Sequence, residues 1–398
     1  MDKRVVITGV GAVTALGAGA RALDEGLRAG RSGARAITLF DTTPFRTRIG
    51  MQAPEPSPPV DEKELHLASR PDRFGIQAAF EAVRDAGLAT DEIARAACVF
   101  GTGTGGAHLT DGYTRAVLFD GEAAADPNLL RPHQPASVTD LVCRHLGIAG
   151  PRHTIMTACS SSATAIGWAA DHVRLGRVEV ALGGGADGLC MLTWAGFNAL
   201  RATSPEPCRP FDKNRSGLNL GEGAAVVVLE EEERARRRGA RIYGRLAGWG
   251  ITADAHHMTA PHPEGDGAAR AMLAALDDAR LDASAIGYVN AHGTATPHND
   301  AAEAAALKRV FGARAPSVPV SSTKSMVGHT LGAAGAVEAV ASLLALAGGY
   351  LPPTANLVEP EFGLDFIPGA AREARVDAIL SSSFAFGGNN TVLAFTRA

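Results

Sequence analysis

Apolar residues along this chain gather into short β-branched runs that end in glycine or polar punctuation, and many runs lead into alanine-rich stretches with helical spacing. The runs at 5–8, 97–100, 178–182, 224–229, 242–246, 286–290, 318–321, 379–382 and 391–395 predict strands. The stretches 73–87, 160–175, 267–280, 300–311 and 331–347 predict helices. Continuous apolar strands alternating with helices indicate an α/β fold with buried sheets. The stretch 331–347 (LGAAGAVEAVASLLALA) is apolar all round except for Glu338, which places it between two sheets rather than on the surface. It is also short for a membrane span and carries a charge in its middle.

Other stretches read differently. Residues 51–64 are proline-rich and 107–137 lack sustained periodicity, so both read as surface insertions. The charged stretch 230–241 (EEEERARRRGAR) reads as a solvated helical face. No tandem repeat is visible, which excludes a solenoid.

Composition narrows the function classes. At 398 residues the chain holds two or three domain-sized units by length alone. With 46% hydrophobic and 20% charged residues, disorder and coiled coil are poor readings. The net charge is -4 and no long basic run appears, so no nucleic-acid partner is expected. The cysteines at 98, 143, 159, 190 and 208 form no CxxC, which argues against a disulfide framework or a zinc site and for a reducing compartment. Lys3 and Arg4 precede an apolar stretch ending in Ala18-Gly19-Ala20, yet its β-branched, glycine-rich make-up (VVITGVGAV) suits a strand better than a signal peptide. A cytoplasmic protein without membrane association is expected.

Four segments carry candidate chemistry. In TIMTACSSSATAIG, Cys159 stands where a strand meets a helix, and a helix N-terminus lowers a thiol pKa. In YVNAHGTATPHND, His292 ends a strand, while Asp300 and Glu303 have capping-box spacing and read as structural. In VPVSSTKSMVGHTLGAAGAVE, Lys324 and His329 share a loop, and Glu338 follows on the apolar helix. A buried carboxylate there needs a partner, and Lys324 is the candidate. In SSSFAFGGNNT, paired glycines after an aromatic indicate a loop that brings backbone N–H groups close to a ligand. One thiol, two histidines, a lysine and a glycine loop at strand ends describe nucleophilic acyl transfer. A rival reading takes GTGTGG (101–106) as a dinucleotide-binding loop, but no convincing helix opens directly behind it in the sequence.

With these motifs the chain resembles the β-ketoacyl-acyl carrier protein synthases, the elongating Cys-His-His class of the thiolase superfamily. The likeness runs from KRVVITGVGAVTALG through GGGADG, RPFDKNRSGLNLGEGAAVVVLE and DAHHMTAPHPEGDGAARAM to SSSFAFGGNNTVLAF. It implies a thiolase-like fold of two related halves, 1–245 and 246–398, layered α/β/α/β/α. It implies a decarboxylative condensation of malonyl-acyl carrier protein with an acyl chain carried on Cys159. The catalytic set would be Cys159, His292, His329 and Lys324, with Glu338 and Lys324 positioning His329 and the N–H of Phe386 in an oxyanion hole. Thr294 and Thr296 would contact the pantetheine arm, and Thr104, Phe197, Gly387 and Gly388 would bind substrate. No cofactor or metal is implied. The partners would be acyl carrier protein and either a second copy or a chain-length-factor-like subunit; in the latter case the pathway would be a type II polyketide or polyene one. Arg70, Arg73 and Arg201 are the candidate docking residues for an acidic carrier. The chain departs from the family pattern at Ala385 and Asn389 in the glycine loop, at Thr104, and in ACSSSA around the nucleophile. Ala385 would restrict the loop if that position needs a positive φ.

Overall fold

The structure, a computed structural model, describes residues 3–398. Strand β1 (Val5–Thr14) is buried along its whole length, and its sequence is correspondingly uncharged, with Thr8 and Thr14 its only polar side chains. It leads to helix α1 (Ala20–Arg28) and then helix α2 (Arg70–Ala86). Two glycines in β1 let α2 approach closely. A Cβ on Gly11 would lie 2.0 Å from the Ala78 carbonyl oxygen, and one on Gly9 2.2 Å from that of Ala82. The first half continues through β2 (Ala97–Gly101), α3 (Ala107–Phe119), α4 (Ser137–Leu146), β3 (Arg152–Ile155), α5 (Ser161–Arg174), β4 (Val180–Asp187), α6 (Met191–Ala199) and β5 (Gly223–Glu231). The second comprises β6 (Gly244–Ala253), α7 (Asp266–Ala279), β7 (Tyr288–Asn290), α8 (Pro297–Phe311), β8 (Pro319–Ser321), α9 (Ala334–Gly348), β9 (Asp365–Phe366), β10 (Ala378–Phe384) and β11 (Asn389–Thr396). The junction expected at 245/246 falls inside β6.

These strands lie on one path, β9-β8-β7-β10-β11-β6-β1-β5-β4-β2-β3. The path is symmetric about the β1–β6 pair. Outward on each side come two antiparallel pairings and then two parallel ones, and β9 adds a third parallel pairing at the end of the second half's side. The halves are therefore related: β3 corresponds to β8, β2 to β7 and β4 to β10. Antiparallel pairing of Val5–Ile7 with Gly244–Leu246 joins them into one sheet rather than two separate ones. Helices α5 and α9 each pack against strands of both halves and against each other, so the path turns back around them. Helix α2 covers β1 and β5 from outside, and α7 covers β6 and β11. The layering is α/β/α/β/α, with the apolar helix 334–348 at its centre as its composition required.

Three expectations need correction. Residues 107–119 form helix α3, whose residues beyond Ala107 are partly or fully exposed and so lack an apolar stripe. The proline-rich stretch is partly core, with Met51 and Ala53 buried. In 230–241 only Glu232–Arg237 is helical, and Glu230 is fully buried, paired with Arg234 and Arg238 and accepting from Thr8 Oγ1. The segment is therefore half core and half surface: Glu230 anchors a buried ion-pair network, while Glu233, Arg236 and Arg237 form the solvated face. All five cysteines are free and buried. The stretch Leu331–Gly348 is apolar enough to cross a membrane, but 89% of it is buried inside the protein.

Candidate active site

Both halves present the C-terminal ends of their parallel strands to a cavity of about 490 Å³. Cys159 follows β3, and His329 follows the corresponding strand β8. His292 follows β7, and the Phe386 loop follows β10. All four residues line the cavity, together with Thr294, Thr296, Phe197, Arg201, Gly387 and Gly388. Loops after adjacent parallel strands converge at one sheet edge, so residues far apart in sequence meet here.

Cys159 sits in a single 3-10 turn, Ala158–Ser160, between β3 and α5. Ala158 is forced to a φ of 51° to make that turn. The three serines that follow Cys159 tie this turn to its surroundings. Ser160 Oγ donates to the Thr157 carbonyl at 2.9 Å, and Ser161 Oγ donates to that of Ala158 at 2.6 Å. Ser162 Oγ reaches across to accept from Ala336 N of α9 at 2.9 Å. Cys159 is only 8% exposed, and burial pushes its thiol up to about 11 against the attraction of Lys324 and of the Phe386 N–H that points at its sulfur. The lowering expected from a helix N-terminus is thus outweighed, and the resting group is a neutral thiol.

The histidines stand edge to face, ring centres 5.4 Å apart. Burial and the nearby Lys324 ammonium hold both well below the usual imidazole range, so both are neutral. Each has Nδ1 occupied. Lys324 Nζ lies 3.2 Å from His292 Nδ1, and Leu331 N donates to His329 Nδ1 at 3.2 Å. An Nδ1 that accepts leaves the ring proton on Nε2, so each imidazole is a donor.

Lys324 and Glu338 are paired as expected, both buried. Their target is different. Lys324 Nζ also donates to the His292 carbonyl at 2.7 Å, so the pair's hydrogen bonds go to His292, while Lys324 reaches His329 only through its charge. Burial raises Glu338 to about 6 even with Lys324 beside it. Asp300 and Glu303 are structural, but not as a capping box. Helix α8 starts after Thr296, and Asp300, inside it, accepts from Phe211 N at 2.7 Å. Glu303 accepts from His292 N and Gly293 N, both at 2.8 Å, and so pins the His292 loop.

The glycine loop is unstrained at Ala385, whose φ is −125°. The positive φ values fall on Gly387 and Gly388, so the alanine is compatible with the loop. Phe386 stacks on Phe197 with centroids 5.7 Å apart, and Asn390 anchors the loop through Asp254 at 2.7 Å.

Thr104 does not line the cavity. Its hydroxyl donates to Asp187 at 2.7 Å instead. A helix does open behind GTGTGG, at Ala107, contrary to expectation. The amides of Gly103 and Thr104 are nevertheless filled by the Asp187 carboxylate at 2.7 and 2.9 Å, so the loop cradles a side chain of the protein itself. Of the proposed docking arginines, Arg70 is buried against Glu222 at 2.8 Å, and Arg73 is tied to Glu62 and the Leu65 carbonyl. Neither offers a free charge to a partner. Arg201 is exposed at the cavity rim. Asp187 escaped notice in the sequence, although a lone acid closing the apolar run VALGGGAD was its signal.

Residues 2–235 match the family described as beta-ketoacyl synthase, N-terminal domain, and residues 243–358 match beta-ketoacyl synthase, C-terminal domain. The chain is 40% identical over 408 residues to 3-oxoacyl-[acyl-carrier-protein] synthase 2 of Synechocystis sp., covering 99% of this chain and 98% of that protein. It is 41% identical over 416 residues to the putative polyketide beta-ketoacyl synthase 1 of Streptomyces halstedii, covering 100% and 98%. Among solved structures, the ishigamide ketosynthase/chain length factor superposes with a TM-score of 0.95 at 38% identity, covering all of both chains. With two domain matches in order and relatives aligned end to end, the chain belongs to the β-ketoacyl synthase family of acyltransferases.

Proposed function

We propose that the protein is a β-ketoacyl-acyl carrier protein synthase that works in the cytoplasm with Cys159, His292 and His329 as its reacting groups. The observation that carries this reading is a buried thiol facing a backbone N–H, in one cavity with two Nε2–H donors. In the first step Cys159 sulfur attacks an acyl thioester whose oxygen lies against the N–H groups of Cys159 and Phe386. The C–S bond to the carrier breaks, and the departing thiolate takes up the proton that Cys159 loses. Malonyl-carrier then enters past Thr294 and Thr296, and its thioester oxygen accepts from both histidines. Its C–C bond to the carboxylate breaks, carbon dioxide leaves, and the electron pair becomes an enolate held by the two donors. The enolate carbon attacks the acyl-Cys159 carbonyl, the Cys159 C–S bond breaks, and the thiolate recovers a proton. The products are 3-oxoacyl-carrier, two carbons longer, carbon dioxide and free carrier. Neutral histidines suit this role because neither ring must give up a proton.

Intact-protein mass after incubation with an acyl-carrier panel tests the reading. A gain of one acyl group, absent in Cys159→Ala and discharged by malonyl-carrier, is expected. A folded protein that accepts no acyl group, alone or with a chain-length partner, refutes it. Likeness to a ketosynthase that has a chain length factor favours a second reading, a type II polyketide or polyene ketosynthase acting as a heterodimer instead of a homodimer. The preferred acyl donor and a partner's requirement for turnover separate the two.

A further inference from the structure

The Asp187 carboxylate is fully buried beside the cavity, and the reaction above gives it no role. It faces donors only. Oδ1 accepts from Thr102 Oγ1 at 3.1 Å, Thr104 N at 2.9 Å and Thr104 Oγ1 at 2.7 Å. Oδ2 accepts from Gly103 N at 2.7 Å and Gly332 N at 2.6 Å. Four of these donors belong to the loop after β2. The fifth comes from the other half of the molecule, three residues beyond His329.

The turn that carries Gly332 is strained and crowded. Leu331 has a φ of 52°, a conformation held only where the surroundings impose it. A Cβ on Gly332 would lie 2.3 Å from Gly103 N and 2.6 Å from Asp187 Oδ2. This turn aims the Leu331 N–H at His329 Nδ1. If the turn relaxed, Nδ1 would lose its donor and the ring could place its proton there. Nε2 would then present a lone pair to the cavity.

We infer that Asp187 is a positioning residue for decarboxylation: by holding Gly332 it locks the turn that donates to His329 Nδ1, and so keeps His329 an Nε2–H donor toward the malonyl thioester. The inference rests on the two-step condensation proposed above. Acylation does not need Asp187, because its charge at Cys159 favours the thiol over the thiolate.

The test separates the two half-reactions. Acylation is followed by intact mass with an acyl-carrier donor, and decarboxylation by release of labelled carbon dioxide from malonyl-carrier labelled in its free carboxylate. Asp187→Ala is expected to lose roughly 100-fold in carbon dioxide release, as when one oxyanion donor is removed, with acylation within about threefold on the same scale. Gly332→Ala, which pushes the turn off the carboxylate from its other side, is expected to do the same and guards against misfolding of the first variant. Asp187→Asn can keep its oxygen on Gly103 N and Gly332 N, but its NH2 then meets the Thr104 N–H, which it cannot satisfy, so it should recover only part of the loss. Equal losses in both half-reactions, or undiminished carbon dioxide release in either alanine variant, would overturn the inference. A wild-type protein that never decarboxylates malonyl-carrier would remove the functional reading and this inference together, which distinguishes the two failures.

Discussion

Replacing Glu338 with leucine strands a buried ammonium. Lys324 would keep its contacts to His292 but lose its only anionic partner among the groups it touches, with both side chains almost wholly buried. Breaking a buried pair by removing one partner costs about 3–5 kcal/mol. At about 2.1 cal/mol/K per residue, a 398-residue chain has an unfolding entropy of roughly 0.8 kcal/mol/K. The melting temperature should therefore fall by about 4–6 °C in a calorimetric scan. The double variant Lys324→Met/Glu338→Leu removes both charges, and buried pairs replaced by apolar residues are often neutral or better. It should regain most of the lost stability while turnover stays low, because His292 Nδ1 and its carbonyl lose their donor. A single variant melting within about 1 °C of wild type, or a double variant melting as low as the single, would refute the pairing as the source of the effect.

Three further outcomes follow from the described contacts. With burial holding the Cys159 thiol near 11, alkylation by iodoacetamide in the empty protein should rise about tenfold per pH unit from pH 7 to beyond 9; a plateau by pH 8 would contradict the neutral thiol. Burial raises Glu303 from 4.5 to about 7, so the stability it contributes is present in full below 4.5 and lost as pH rises through 7; relative to Glu303→Gln, wild type should lose about 3 kcal/mol across that window in urea titrations, and parallel pH profiles would refute it. Arg70→Ala leaves buried Glu222 unpaired and should cost about 3 kcal/mol, yet kcat/KM per folded molecule should be equally unaffected for carrier-bound and small thioesters; a selective loss with carrier-bound acyl groups would restore Arg70 as a docking residue.

The interior strands and the central helix were legible in the sequence because burial on both sides leaves a largely apolar signature, whereas the end strands Arg152–Ile155 and Asp365–Phe366 carry no such signature and were not expected. Helix Ala107–Phe119 was not, since a helix lying largely in solvent leaves no stripe to read. Cys159, His292, Lys324 and His329 could be picked out by their places at strand ends. Their pairing could not. Lys324 is five positions from His329 in the chain, yet it serves His292 because β7 and β8 are parallel neighbours whose exits lie side by side. The chemistry of Cys159 was misjudged for a related reason: a turn reveals a helix N-terminus, but only the packed structure reveals how completely the sulfur is enclosed. Asp187 binds mostly backbone amides, and amides carry no sequence identity.

The pairing of Val5–Ile7 with Gly244–Leu246 bears on how the chain comes off the ribosome. Strand β1 is made before β5 and β6, yet it lies between them in the finished sheet, and β6 belongs to the second half of the polypeptide. Until that neighbour is synthesised, β1 offers an open apolar edge, the kind of surface that recruits chaperones or aggregates. The pairing of β1 with β6 closes only when the second half is present, and long-range strand pairing of this kind slows folding. A fragment ending near the midpoint should need a complementary fragment, present during synthesis, to remain in solution.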